Sequence, residues 1–380
     1  MKLQCWTRIR MTAVATACVL MLGMAYGAWA QETKEKVTIG DVDRTYMVRL
    51  PQGYDAKQKY PVVILLHGMN QDTDDMERLT RFANLADKDG IIAVYPKALH
   101  GRWNVGVRPP QRQQQMMGPG RGRRGGGGYP GGGGGYPGGG GGYPGGGGGG
   151  GYPRGGDTGG QDREQTRTEQ ADDVDFLNQM LDQMALKFSV DATRVYATGL
   201  SEGGLMAMKV GCSMADRIAA IAPVGAAMPK SMICLPSRPL PVVMINGTSD
   251  PVVPYGGGTE HNLRLPVVSV EDSAKQWARI DRCSEKPTQT KLPAHEKGSM
   301  EVKVDTFEGC HEGVQVVSYS VKGAGNTWPG GEQYEVEKQV GKTAPDPNAN
   351  ETIWAFLATK KAPGTSAPDK SDTGKSPDAK

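Results

Sequence analysis

Residues 198–204 read TGLSEGG and join two stretches of different periodicity. RVYATG (194–199), before the junction, has the composition of a buried strand, and GGLMAMKVGCSMA (203–215), after it, has helical spacing. Gly199-Leu200-Ser201-Glu202-Gly203 fits the pattern G-x-S-x-G. Small residues two before and two after the serine let a chain turn sharply from strand into helix, which lifts the hydroxyl above the sheet. Ser201 is therefore the candidate nucleophile. Glu202 is expected to offer its backbone N–H to an oxyanion hole rather than to act through its carboxylate.

On both sides of this junction the chain alternates between strand and helix patterns. VTIG and RTYMVRLP read as a hairpin, PVVILLHG (61–68) and IIAVYP as buried strands, and residues 74–88 as one helix with acids at its start and Gly90 past its end. DDVDFLNQMLDQMALKF is an amphipathic helix, and IAAIAPV, PVVMINGTSD, VKVDTF and VQVVSYSV are further strands. SVEDSAKQWARIDRC and ETIWAFLATKK complete the helices. Continuous apolar strands alternating with helices predict an α/β fold, a mostly parallel sheet with helices on both faces.

Two regions do not fit a core. Residues 109–167 include the repeat YPGGGGG, starting at Tyr129, Tyr136 and Tyr143, and the tail 361–380 is rich in Pro, Ser, Asp and Lys. Both are expected to be disordered, because ordering glycine is entropically costly and neither buries apolar surface. The remainder, within 31–360, suffices for one domain. The insert's Arg121, Arg123, Arg124 and Arg154 with spaced tyrosines look superficially like a nucleic-acid-binding segment. A tether, a surface-binding arm or an inert linker suits its setting better.

That setting follows from residues 1–30, which carry three positive charges, an apolar core of about a dozen residues and Ala28-Trp29-Ala30 as a small-x-small site. They read as a signal peptide, so the protein is expected to be secreted, extracellular or periplasmic, with no membrane span after cleavage. Loss of Lys2, Arg8 and Arg10 takes the net charge from +3 to zero, which argues against a nucleic-acid partner. Cys212, Cys234, Cys283 and Cys310 remain, an even number in an oxidising compartment. Three pairings are open; the local one, Cys212 with Cys234 and Cys283 with Cys310, closes two short loops and is preferred. No metal or organic cofactor is implied, and nothing fixes an oligomeric state.

The second oxyanion donor is expected after the strand ending in LLHGMN, with the Met69 N–H as the donor and His67 shaping the turn. Asp250, at the end of VVMINGTSD, fits the acid that follows the nucleophile in chain order. The base should follow the next strand, where GAGNTWPGG (323–331) presents Asn326. An amide donates and accepts hydrogen bonds but does not take up a proton at ordinary pH. His311 precedes its strand and His295 lies in a polar loop. His100 and His261 lie on loops leaving the correct edge, and solvated surface histidines are the simpler reading. Trp328 and Tyr255 flank the site and, with His67, are candidates to line it; packing under the loops is the alternative for Trp328 and Tyr255.

Taken in order, LLHGMN, RWN, DDVDFL, VDATRVYATGLSEGG, IAPV, NGTSDPVVPYGGG and GNTWPGG resemble the secreted polyhydroxybutyrate depolymerase and feruloyl or acetylxylan esterase-like branch of the α/β hydrolases. The resemblance covers roughly residues 35–358 apart from the insert. It implies Ser201 as nucleophile, Asp250 as acid, a base in a G-H-x-W-P segment, and the local disulfides. Its implied substrate is a carboxylic ester, a polyester or an acylated polysaccharide. The chain departs from the pattern at Asn326, where the family has His, and at Asn246, where it often has His. Two functions follow as expectations: a serine esterase, weakened or disabled at Asn326, or an inactive homologue that binds a ligand or glycan.

Overall fold

The computed structural model describes residues 31–106, 172–292 and 299–363. The expected signal peptide, the whole Gly-rich insert, most of the tail and His295 lie outside the described residues.

The chain begins with the antiparallel pair β1 (Glu32–Ile39) and β2 (Val42–Arg49), then β3 (Tyr60–Leu66), α1 (Thr73–Thr80), α2 (Phe82–Asp89) and β4 (Ile92–Pro96). After the insert come α3 (Asp173–Lys187), β5 (Val190–Leu200), α4 (Glu202–Ser213), β6 (Ala220–Val224) and β7 (Val242–Gly247). A two-residue pair follows, β8 (Gly258–Thr259) and β9 (Pro266–Val267), then α5 (Val270–Ile280). The last elements are β10 (Thr288–Leu292), β11 (Val302–Phe307), β12 (Val316–Val321), α6 (Glu337–Val340) and α7 (Ala349–Leu357).

Ten strands form one sheet in the order β1-β2-β4-β3-β5-β6-β7-β12-β11-β10. The six from β4 to β12 run parallel, and antiparallel ribbons flank them on both sides. Both faces of the parallel part are covered, so side chains alternate between two cores. Val62, Ile64 and Leu66 pack with Phe176, Met206 and Trp277 of α3, α4 and α5. Val63 and Leu65 pack with Leu79, Phe82 and Ile353 of α1, α2 and α7. This is why the strands read as continuous apolar runs.

The stems of the insert meet at one buried carboxylate. Asp173 accepts from Arg44 Nη2 at 2.5 Å and from the Asn104 N–H at 2.6 Å, and the Arg44 guanidinium lies over the Phe176 ring.

The helix expected over 74–88 is two helices. Arg81, at φ 50°, breaks it. The last carbonyls of α1 are captured from far along the chain: the Glu332 N–H donates to Leu79 O at 3.0 Å and Asn350 Nδ2 to Thr80 O at 2.7 Å. Disulfides join Cys212 to Cys234 and Cys283 to Cys310, the local pairing. No helix among the described residues is long and apolar enough to cross a membrane.

Candidate active site

The parallel strands end together, so the loops after β3, β5, β6, β7 and β12 share one edge, where α/β sheets place their sites. Ser201 sits between β5 and α4 at φ 58°, ψ −115°, a conformation that costs a non-glycine residue energy and holds the side chain out of both elements. The turn is tight enough to exclude other residues on both sides. A Cβ on Gly199 would lie 2.5 Å from Gly203 O, and one on Gly203 would lie 2.0 Å from Leu66 O. The Ser201 N–H donates to Val224 O at 2.9 Å, anchoring the elbow to the end of β6.

Glu202 opens α4, so its N–H has no acceptor within the helix and is available for an oxyanion. Its carboxyl is buried, and Oε1 receives Nε of Arg102 at 3.3 Å while Oε2 has no hydrogen bond. Burial pushes this carboxyl up to about 7, against the pull of Arg102. Arg102 was visible in the sequence only as part of RWN; its role as partner of Glu202 was not.

His67 is fully buried and its two ring nitrogens are both engaged. The Ala98 N–H donates to Nε2 at 3.0 Å, which leaves the proton on Nδ1, and Nδ1 donates to Gly68 O at 2.7 Å. Burial lowers the imidazole's pKa, consistent with this neutral form. The Gly68 carbonyl and the Met69 N–H belong to one planar trans peptide and point in opposite directions. By holding the carbonyl, His67 fixes the direction of the Met69 donor. The turn is braced further by Trp103 Nε1 on His67 O at 2.9 Å and by the Asn70 N–H on Gly101 O at 2.9 Å.

Asp250 and Asn326 are in contact. Nδ2 of Asn326 donates to Asp250 Oδ2 at 2.7 Å and to Gly225 O at 2.9 Å. Asp250 Oδ1 accepts from the N–H groups of Val252 and Val253, each at 2.8 Å. Burial nevertheless pushes the Asp250 carboxyl up to about 7, and nearby Glu260 adds to the rise. Gly225, at φ 58°, has the conformation this junction requires, and a Cβ there would press on Asn326 Nδ2 at 2.9 Å. Asn246 Nδ2 holds the next carbonyl, Ala226 O, at 2.9 Å.

Of the three residues expected at the site, Trp328 and His67 are enclosed by protein and Tyr255 is half-buried. Trp328 is fully buried with Nε1 on Asn350 Oδ1 at 2.9 Å, so it supports the loop from beneath. His67 is likewise enclosed and acts on the backbone. Tyr255 is half-buried, its hydroxyl 2.7 Å from Ser320 Oγ, and packs in a small core with Val252 and Val253. His100 and His261 are exposed, and His311 lies before β12, at the opposite end of that strand from Asn326. Among the described residues no group of three or more His, Cys, Asp or Glu side chains has the arrangement of a metal site.

The strand order, the elbow at Ser201 and an acid after β7 define an α/β-hydrolase fold. Residues 38–115 match a family model described as "Putative esterase". The chain is 32% identical over 163 residues to feruloyl esterase B of Piromyces equi, covering 41% of this chain and 29% of that protein. It is 24% identical over 339 residues to "Putative esterase NocK" of Nocardia uniformis subsp. tsuyamanensis, covering 86% of this chain and 83% of that one. A solved ferulic acid esterase from Anaeromyces mucronatus aligns with a TM-score of 0.43 at 16% identity, covering 89% of this chain and 92% of that one.

Proposed function

We propose that this protein is a carboxylic-ester hydrolase that works through an acyl-Ser201 intermediate. The observation that carries the reading is the elbow: a serine held at φ 58° between two glycine positions where no larger residue fits. Such strain is retained where it positions a reactive group. Attack by Ser201 Oγ on the ester carbon would place the developing oxyanion between the Glu202 and Met69 N–H groups. Asp250 and Asn326, which are hydrogen-bonded to each other, occupy the acid and base positions of this reading.

The name of one relative, a feruloyl esterase, supports an aromatic ester as substrate, and the resemblance of the motifs adds an acylated polysaccharide or a polyester. The two disulfides support export to an oxidising compartment. The organisation we propose is a signal peptide at 1–30, a hydrolase domain over 31–360 interrupted by the insert at 109–167, and a short tail.

A second reading is favoured by Asn326 itself: a binding protein that keeps the pocket without turnover. Hydrolysis of p-nitrophenyl acetate and butyrate by the natural chain and by Ser201→Ala separates the two. Turnover that disappears in Ser201→Ala supports the esterase, and an inert natural chain that still binds an ester analogue supports the binding protein.

A further inference from the structure

The loop after β4 sets one cation between the two residues expected to hold the oxyanion. Arg102 is fixed by the chain on each side of it. Gly101 O accepts the Asn70 N–H at 2.9 Å, one residue from the Met69 donor, and Trp103 Nε1 donates to His67 O at 2.9 Å, at the start of the same turn. Gly101, at φ 71°, lies so close to that turn that a Cβ would fall 3.2 Å from Asn70 Cα. The Arg102 side chain reaches the other donor residue, with Nε 3.3 Å from Glu202 Oε1. It is thus tied to the Met69 turn through its neighbours and to the elbow through its guanidinium.

Only part of that guanidinium is used. Nη1 and Nη2 have no hydrogen bond or ion pair among the described residues, and the side chain is 34% exposed. The acids around it do not complete the pairing. Glu202 is buried and pushed up to about 7, so at neutral pH it carries only part of a charge. Glu260, in the turn between β8 and β9, is attracted to Arg102 but gives Oε1 to the Asn262 N–H and Oε2 to the Leu263 N–H. The Nη1–Nη2 end therefore remains open. A guanidinium offers its donors as a planar fork that matches a carboxylate, and two parallel bonds to one carboxylate are its strongest pairing.

Resting on the hydrolase reading above, we propose that Arg102 is a specificity residue, whose Nη1 and Nη2 bind a carboxylate carried by the ester itself. The site then selects anionic esters. A polysaccharide acylated on a uronic acid and the free acid end of a polyester chain share this chemistry, and both carry the carboxylate on the alcohol half.

The test compares kcat/KM for a charged ester with that for its neutral counterpart in the natural chain, Ser201→Ala, Arg102→Gln, Arg102→Lys and Glu202→Gln, with thermal unfolding of each. p-Acetoxybenzoate against its methyl ester places the charge on the alcohol half; mono-p-nitrophenyl succinate against p-nitrophenyl butyrate places it on the acyl half. Intrinsic reactivity cancels when the charged-to-neutral ratio is compared between variants. Arg102→Gln should lower the ratio at least about tenfold in the pair that suits the site, because bonds to a charged group are lost. Arg102→Lys should keep part of the preference, since an ammonium retains the charge without the fork. Glu202→Gln should raise the ratio at pH 8, where the natural carboxylate is ionised and competes for Arg102. Where Arg102→Gln does not fold, Arg102→Lys and Glu202→Gln decide. Ratios unchanged by the Arg102 variants in both pairs, with turnover still dependent on Ser201, overturn the carboxylate site and leave the hydrolase standing. No Ser201-dependent turnover of any ester overturns both.

Discussion

Arg102 Nε approaches Oε1 of Glu202 at 3.3 Å, tying the loop after β4 to the residue that follows the nucleophile. The pair is unequal, for Glu202 is 2% exposed and the Arg102 side chain 34%. Burial therefore outweighs the attraction, and the Glu202 carboxyl rises from 4.5 to about 7.

A sign follows for stability. The folded state holds the Glu202 proton more tightly than the unfolded chain does, so stability falls as pH rises from about 4.5 to about 7 and is flat in this respect above that. Glu202→Gln keeps an oxygen for Arg102 and removes the charge. It should raise the unfolding temperature at pH 8, and the gain should vanish by pH 4, as thermal melts across that range will show.

Gly203 has no room for a methyl group, because its Cβ would fall 2.0 Å from Leu66 O and 2.6 Å from His67 O. Both are backbone atoms of β3 and the turn after it, which do not rotate aside. Gly203→Ala should cost on the order of 3 kcal/mol or more. Urea unfolding measures this, and a variant within about 1 kcal/mol of the natural chain would contradict so tight an elbow.

Asp173 and Arg44 are both almost fully buried, and removing one leaves the other buried without an opposite charge. Asp173→Ala should destabilise by about 3–5 kcal/mol, while Asp173→Leu combined with Arg44→Met should recover much of that loss. Denaturant midpoints of the three proteins check the ordering.

Asn326→His restores a side chain that holds a proton. It should raise Ser201-dependent turnover of p-nitrophenyl acetate by on the order of 10². The larger ring must fit a fully buried space against Gly225, so a loss of roughly 1–3 kcal/mol in stability should accompany the gain. A rate unchanged from that of the natural chain would mean that position 326 does not govern the proton of Ser201.

Much of this architecture was readable before folding. The central strands announce themselves because both faces are covered, and TGLSEGG carries its own geometry in the glycines. What escaped the sequence depends on partners far along the chain. Arg81 breaks a helix of good periodicity because Glu332 and Asn350 capture the carbonyls before it. β10 is exposed along its length and so has no apolar pattern to reveal it. Trp328 beside the site suggested a lining residue, yet only the fold shows Asn350 beneath it to satisfy its N–H. The departure at Asn326 was evident, but its bonds to Asp250 and Gly225 were not.

The carboxylate of Asp173 binds Arg44 on one strand and Asn104 on the far side of the insert, so the two stems are fastened where they leave the domain. With the gate closed at its posts, the length of what lies between is nearly free, since doubling a loop adds only about 0.6 kcal/mol of closure entropy. This junction is therefore a natural graft point. A foreign folded module whose own termini lie close together should be carried here with the hydrolase scaffold undisturbed.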